Sequence, residues 1–380
     1  QVAKRIKRNL LVNSNARLIA ETGGLNAMVV DSTALSEQVT RDVLDSAFKS
    51  AGQRCSALRI LLIQEECFDG ITAMIKGAMH ELNLGDPKYL NTDCGPVINA
   101  DAKDKLQAHI DNAGAHAKIV AKVQHSNVNG YYVAPTMIEL ECLDDINEEF
   151  FGPILHVIRY KSECLEDMID QLNAKGFGLT FGMHSRIKTQ VDLVSKRINA
   201  GNIYINRNQV GAIVGSQPFG GEGLSGTGPK AGGPSSLHGY SRKLDTIVTS
   251  AGVVLPSKSA VFFNQAMVDK IASAFPLLDQ VFIYHLADTV NQYSQNVELP
   301  GPTGESNTLS YHPKGCVLCL GPSDVDSLQQ SIVALALGNS VMSTLNQQDF
   351  VQLIELGIDS NTLFRMNKAP NNEFLESDCY

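Results

Sequence analysis

The run Ala57-Leu58-Arg59-Ile60-Leu61-Leu62-Ile63 has the length and character of a strand buried on both faces of a parallel sheet. It follows directly on an amphipathic helix, in which Val39, Val43, Leu44, Ala47 and Phe48 recur at the helical period. A helix that feeds a doubly buried strand commits this region to α/β architecture. Asp31 and Ser32 are predicted to cap the helix start, and Gly52 to supply the left-handed turn that stops it. Cys55 then falls in a tight helix-to-strand loop, where a side chain is presented rather than packed. Upstream, Leu18-Ile19-Ala20 reads as a strand ending at Glu21, before the turn Gly23-Gly24. A thiol and a carboxylate, each at the mouth of an α/β element, are the parts that covalent catalysis with a nearby base requires.

From Leu25 to about Phe219 the same alternation of apolar strands and amphipathic helices continues, the βαβ rhythm of a mainly parallel sheet. A helix is predicted over 68–82, with strands at 118–121, 153–158, 179–182 and 201–206. Residues 217–234 are dense in glycine and proline and read as an ordered or switchable loop. A thin linker near 245–260 leads to a helix around 265–275, then to a strand at 315–320 and a helix at 323–337.

Charge and composition exclude several classes. With a net charge of −9 and no basic stripe, nucleic acid and anionic membranes are not expected partners. No apolar run reaches the roughly 18 residues of a membrane span, and no signal peptide opens the chain. The eight cysteines are unevenly scattered, which fits a reducing cytosol better than a disulfide framework. The opening Gln1-Val2-Ala3-Lys4-Arg5-Ile6 reads as mid-helix, so a fragment of a longer protein is expected.

Most cysteines are small buried hydrophobes. Cys67, Cys142 and Cys164 are read that way, and Cys94 and Cys379 carry no signal. Cys55 differs because Arg54 and nearby amides can draw its pKa toward the thiolate. Cys316 and Cys319 lie three apart in a strand, facing opposite sides, without a second pair at zinc-ribbon spacing. His109 and His116 have no further ligand in register, so no metal is assigned. Gly221-Glu222-Gly223-Leu224-Ser225-Gly226 matches the dinucleotide pattern but follows no strand and opens no helix, so the match is read as accidental. Glu149 at the mouth of strand 153–158 can accept two bonds from a ribose diol, with Phe151 behind a nicotinamide ring. An acidic loop with a core phenylalanine is the simpler reading of those two residues alone.

Four stretches together resemble the aldehyde dehydrogenase superfamily: Glu21-Thr22-Gly23-Gly24, Gly52-Gln53-Arg54-Cys55, Glu149-Phe150-Phe151-Gly152-Pro153 and Gln217-Pro218-Phe219-Gly220-Gly221. They stand in that superfamily's order and at its spacing. More narrowly, 51–59, 206–215 and 225–234 are similar to the dehydrogenase module of the proline utilisation A family, and 299–305 resembles the C-terminal domain of its longer members. The resemblance implies an α/β aldehyde dehydrogenase catalytic domain, mainly parallel sheet with flanking helices, plus a partial Rossmann-like C-terminal domain. It divides the chain into 1–24, the end of a truncated NAD-binding Rossmann domain; 25–240, the catalytic domain; 241–262, a linker or oligomerisation segment; and 263–380, the partial C-terminal domain.

The resemblance also implies a reaction: NAD-dependent oxidation of L-glutamate γ-semialdehyde, from Δ1-pyrroline-5-carboxylate, to L-glutamate. Cys55 is then the nucleophile and Glu21 the base. Glu149, Phe151 and Gly24 meet the cofactor. Ser56, Gly211 and Ala212 hold the substrate carboxylate, and Phe219 walls the aldehyde pocket. FAD belongs to a proline dehydrogenase half expected upstream of this segment, and most of the aldehyde dehydrogenase's own NAD-binding domain, with its oxyanion-hole asparagine, is expected upstream as well. The expected partners are the aldehyde substrate, those upstream domains and further copies in a homo-oligomer. The expected place is the cytoplasm, with peripheral membrane association of the full-length protein. The fragment is expected to turn over poorly. Two other readings stand beside this one: a different aldehyde on the same fold, and, for about 250–380, a non-catalytic module for assembly or for sealing a tunnel. A cysteine hydrolase would need a histidine beside Cys55, and the sequence nominates none.

Overall fold

A parallel sheet needs helices on its faces, and the chain supplies them between nearly all its strands. The computed structural model describes residues 2–13, 16–124, 129–237, 240, 265–293 and 295–366. The expected linker at 241–262, with Cys379 and Tyr380, lies outside the described residues. The chain forms two compact units, residues 1–242 and 243–379.

In the first unit the order is α1 (Val2–Asn13), β1 (Ala27–Val30), α2 (Ser36–Phe48), β2 (Ile60–Gln64), α3 (Glu65–His80), α4 (Ala100–His116), β3 (Lys118–Lys122), β4 (Thr136–Leu140), β5 (Ile154–Tyr160), α5 (Leu165–Ala174), β6 (Phe177–Gly178), β7 (Thr180–His184), α6 (Lys188–Arg197), β8 (Asn202–Ile205) and β9 (Glu222–Gly223). Seven strands make one sheet in the order β3-β4-β5-β2-β1-β7-β8. Every neighbouring pair is parallel except β3 with β4. The short strands β6 and β9 pair antiparallel beside it.

Alternation along the central strands decides what each face buries. Met28, Val30, Leu61, Ile63, Leu155 and Val157 pack with Val39, Val43 and Phe48 of α2 and Phe68, Ile71 and Ile75 of α3. Ala27, Val29, Ile60, Leu62, Ile158 and Tyr160 pack on the other face with Leu165, Ile169 and Leu172 of α5 and Val194 of α6. The apolar run at 57–63 thus behaves as expected, and β1, its parallel neighbour, is buried along its whole length as well.

Three local expectations are corrected. Residues 18–20 form no strand, and Glu21 makes an isolated antiparallel bridge with Gly226. Asp31 does not cap α2, because its Oδ1 accepts from the Thr33 amide and hydroxyl at 2.7 and 2.6 Å, and Leu35 occupies the N-cap without a side-chain bond. Gly52 is left-handed at φ +63°, but the helix has already ended at Phe48, and Ser50 and Ala51 share the left-handed turn. Glycine is required at 52 for a second reason: a Cβ would stand 2.2 Å from the Gly152 carbonyl oxygen.

The second unit runs α7 (Gln265–Ala274), α8 (Gln280–Tyr293), β10 (Val297–Leu299), β11 (Asn307–Leu309), β12 (Cys316–Cys319), α9 (Asp324–Ala336), β13 (Ser340–Ser343), α10 (Gln347–Glu355) and β14 (Leu363–Arg365). β10 and β11 form an antiparallel pair, and β12-β13-β14 form a parallel sheet with α9 and α10 as its crossovers. Ser323 and Asn346 cap α9 and α10 by accepting from the amides of Asp326 and Asp349. Cys316 is exposed and Cys319 buried, so the two thiols do face opposite sides of β12. No helix among the described residues is long and apolar enough to cross a membrane. No group of three or more histidine, cysteine or carboxylate side chains among them could hold a metal ion.

Candidate active site

The segments that carry Glu21, Cys55 and Glu149 enter β1, β2 and β5, so all three lie at the amino-terminal edge of the sheet. Open parallel sheets ordinarily bind ligands at the opposite edge, beyond the carboxyl ends of the strands. Here the helix-to-strand loops carry the chemistry.

Cys55 is exposed, whereas its neighbours Gly52, Ser56 and Ala57 are buried. Its loop hangs from Asn26, a buried residue just before β1. The Asn26 Nδ2 donates to the carbonyls of Cys55 and Ala57 at 2.6 and 2.9 Å, and its Oδ1 accepts from the Thr180 amide at 3.1 Å. Gln53 pins the other side, its Nε2 donating to the Pro96 carbonyl and its Oε1 accepting from the Ile98 amide. The expected depression of the Cys55 pKa does not hold. Burial pushes the thiol up, the amides of Ser56 and Cys55 pull it down less, and the charges of Glu149 and Glu21 push it further up. Arg54 is turned to Ser50, its Nε donating to Ser50 Oγ at 3.0 Å.

Glu149 is held by the one cation inside the apolar run. Arg59, 1% exposed, donates through Nη2 to Glu149 Oε1 at 3.2 Å and to the Arg54 carbonyl at 3.2 Å, and through Nη1 to the Gly152 carbonyl at 3.0 Å. Burial raises the Glu149 pKa, and Arg59 and the Gly24 amide oppose it. The carboxylate lies on the Gly23-Gly24 turn, where a Cβ on Gly23 would stand 1.8 Å from Glu149 Oε2. The half-exposed Phe151 ring has the Arg59 guanidinium 5.2 Å from its centroid, and Phe150 stacks on His109 at 3.5 Å. His109 Nε2 meets His156 Nε2 at 2.9 Å, and His156 Nδ1 meets the Arg59 carbonyl at 3.2 Å. Since a carbonyl only accepts, neutral His156 carries its proton on Nδ1, and His109 donates to its Nε2.

Glu21 is anchored by backbone pairing on both sides. Thr227 and Ala20 bond through amide and carbonyl at 3.1 Å, and Thr22 donates to the Ser225 carbonyl at 3.1 Å. The dinucleotide-like stretch 221–226 is therefore a partner strand for Glu21, and it opens no helix. A Cβ on Gly220 would lie 3.4 Å from Glu21 Oε1, so the carboxylate borders the 217–231 loop. Burial raises the Glu21 pKa. Phe219 pairs antiparallel with Ala231 through two bonds of 3.0 and 2.8 Å, and Lys230 closes the loop by donating to the Gly201 carbonyl.

Ser56 is buried, with its carbonyl accepting from Thr180 Oγ1 at 3.3 Å. Gly211, at φ +83°, and Ala212 are exposed. Bonds that fix their loop run to α2 and to the sheet. Gln209 donates from its amide to Ser46 Oγ and from Nε2 to the Ala27 carbonyl. Asn26, Arg59, His156 and Gln209 escape a search for reactive groups. Arg59 did leave a signal, as a charge in an otherwise apolar strand must be paired.

The sequence pattern of the aldehyde dehydrogenase family matches residues 1–244. The chain belongs to that family. This aldehyde dehydrogenase chain is 44% identical over 366 residues to the bifunctional protein PutA of Klebsiella aerogenes, covering 90% of the chain and 28% of that protein. It is 34% identical over 228 residues to the 1-pyrroline-5-carboxylate dehydrogenase of Geobacillus kaustophilus, covering 58% of the chain and 43% of the relative. Among solved structures, bifunctional proline utilization A superposes with a TM-score of 0.61 at 50% identity, over 63% of this chain and 24% of that one. A 1-pyrroline-5-carboxylate dehydrogenase from Thermus with bound NAD gives 0.56 at 30% identity, over 63% and 47%. The chain thus spans about a quarter of the length of its PutA relatives.

Proposed function

We propose that this chain carries the nucleophile and the base for oxidising L-glutamate γ-semialdehyde, the open form of Δ1-pyrroline-5-carboxylate, to L-glutamate with NAD. The observation that supports the reading most is an exposed Cys55 between buried Gly52 and buried Ser56, at the sheet edge that also bears Glu21 and Glu149. Relatives named for 1-pyrroline-5-carboxylate point to the same substrate.

The Cys55 sulfur adds to the aldehyde carbon, forming a C–S bond, and the amides of Cys55 and Ser56 direct positive charge toward that sulfur. The raised thiol pKa means that a proton must be removed for this addition at neutral pH. Solvent takes that proton at the exposed Cys55, which leaves Glu21 available for the hydrolysis. NAD, held by Glu149, Phe151 and Gly24, would supply the hydride acceptor through which the tetrahedral carbon on Cys55 becomes a thioester. Glu21 then takes a proton from water, whose oxygen displaces the sulfur and releases glutamate.

The residues fit the cofactor. The Glu149 carboxylate lies over a turn that has no Cβ at Gly23, next to Phe151, as a ribose-binding acid and a ring support require. Gly24 completes that turn. Ser56 and the amides of Gly211 and Ala212 bind the substrate carboxylate through neutral donors, and Phe219 walls the pocket. On the same reading, 1–24 close the NAD-binding domain, 25–240 are the catalytic domain, 241–262 link or oligomerise, and 263–380 form the Rossmann-like module. A proline dehydrogenase half with FAD belongs to the same polypeptide, in a cytoplasmic homo-oligomer.

NADH formation from Δ1-pyrroline-5-carboxylate, set against a panel of aldehydes of differing charge, tests the reaction. In the full-length polypeptide activity is expected with the semialdehyde, none after Cys55→Ala, and an acyl adduct on Cys55 by intact mass after Glu21→Gln, whereas the 380-residue chain alone is expected to turn over poorly. Undiminished turnover by Cys55→Ala would remove the proposal.

A further inference from the structure

The helix that leads to Cys55 has a second face that the apolar stripe conceals. Gln38, Asp42 and Ser46 recur every four residues along α2 and so line one side of it. Gln38 and Ser46 bond the segment that leads from β8 to Gly211, and Asp42 between them meets the end of β7. Gln38 Nε2 donates to the Asn206 carbonyl at 2.6 Å. Asp42, 1% exposed, stands 3.5 Å from His184 Nε2 at the end of β7 and is acted on by the charge of Arg207. Ser46 Oγ accepts from the Gln209 amide at 3.0 Å and donates to the Asp42 carbonyl at 2.6 Å. The Ser46 carbonyl accepts from the Leu58 amide at 3.0 Å.

Ser46 is therefore bonded on one side to Leu58, three residues after Cys55, and on the other to Gln209, two residues before Gly211. Each of those short stretches spans at most about 10 Å. Asn206 holds the far end of the segment by bonding the Ser185 amide and carbonyl at 3.0 and 2.9 Å.

We propose that the Gln38–Asp42–Ser46 face of α2 is a positioning seam that sets the span between the Cys55 sulfur and the Gly211–Ala212 amides, and with it the chain length of the carboxylated aldehyde accepted. The inference rests on the reading of Gly211 and Ala212 as the carboxylate anchor. It adds what the anchor does not contain, namely a ruler. The three residues touch no substrate and act through the two loops.

Unreactive dicarboxylates test this without turnover. Succinate, glutarate and adipate are compared as protectors of Cys55 against iodoacetamide, read by mass spectrometry of the labelled thiol. The unaltered protein is expected to be protected best by glutarate, which has the five-carbon span of the product. Ser46→Ala and Gln38→Ala are expected to weaken glutarate protection about two- to tenfold, the effect of one hydrogen bond. Both are expected to flatten the preference among the three acids and to leave the alkylation rate without ligand unchanged. Ser46→Thr, which keeps the acceptor, is expected to restore the preference. Gln38 is only half-buried, so its variant carries the test even where Ser46→Ala does not fold. Unaltered length preference in Gln38→Ala and in any folded Ser46→Ala overturns the seam and leaves the anchor standing. Absence of protection by every acid in the unaltered protein overturns the anchor, and the seam with it.

Discussion

Cys55 combines exposure with a raised pKa, because burial of its loop and two carboxylates outweigh the amides that face it. Glu149 is the larger of the two charge contributions, and Arg59 is bonded to it. Glu149→Gln removes a negative charge near the sulfur and frees the guanidinium of its partner. Both effects favour the thiolate, so the pH–rate profile of Cys55 alkylation is expected to move to lower pH. An unmoved or upward-moved profile would show that the two side chains do not sense one another. Asn26 is the mechanical counterpart. Asn26→Ala strips two carbonyls and one amide of their partner and is expected to cost about 1–3 kcal/mol in urea unfolding. The candidate site residues Cys55, Glu21 and Glu149 were legible in the sequence because each stands within three residues of a glycine in a loop. Their supports were not, because an asparagine before a strand or a serine late in a helix has the same composition whether or not it bonds a loop far away in sequence.

Among elements, long apolar periods were read well. β2, β5 and α3 were anticipated within a few residues, and their faces divide as alternation requires. The four-residue β1 was missed although it joins β2 to β7, because so short a run carries no periodicity to distinguish it from a loop. Glu21 was read at the end of a strand over 18–20 that does not form, so its place on the same sheet edge as Cys55 and Glu149 was missed. Pairings between elements bury two histidines, and these give stability a pH dependence. Burial first, then the charge of His109, lowers the His156 pKa to about 3, and burial lowers that of His184 to about 4. The unfolded chain takes up these protons near pH 6.5, whereas the folded chain refuses them. Their contribution is therefore complete above about pH 6.5 and lost as pH falls toward 4. Asp42, whose pKa is raised chiefly by burial, acts in the opposite sense, favouring the folded state at low pH. The His156 share is isolated by comparing variants: the urea midpoint is expected to drop between pH 7 and 5, and to drop less in His156→Gln. Equal drops would mean that His156 takes its proton in the folded state.

In the whole molecule, each core is assembled from one unit's own residues. The clusters on either face of the large sheet draw on residues 25–194, whereas Val268, Ile271, Phe275, Ile283, Leu286, Leu328, Ile332, Val341, Leu353 and Leu363 make up another. Cys55, Glu21, Glu149 and Arg59 all belong to the first unit. Ile332 is fully buried, so Ile332→Ala removes methyl groups from one core and none from the other, at a cost of about 2–5 kcal/mol. Calorimetry of the variant is expected to show one transition displaced downward and a second unchanged. The rate of Cys55 alkylation below the first transition is expected to match that of the unaltered protein. A single transition that moves as a whole would mean that the cores melt as one cooperative body. In that case a substitution more than 250 residues from Cys55 in sequence would bear on the persistence of the site itself.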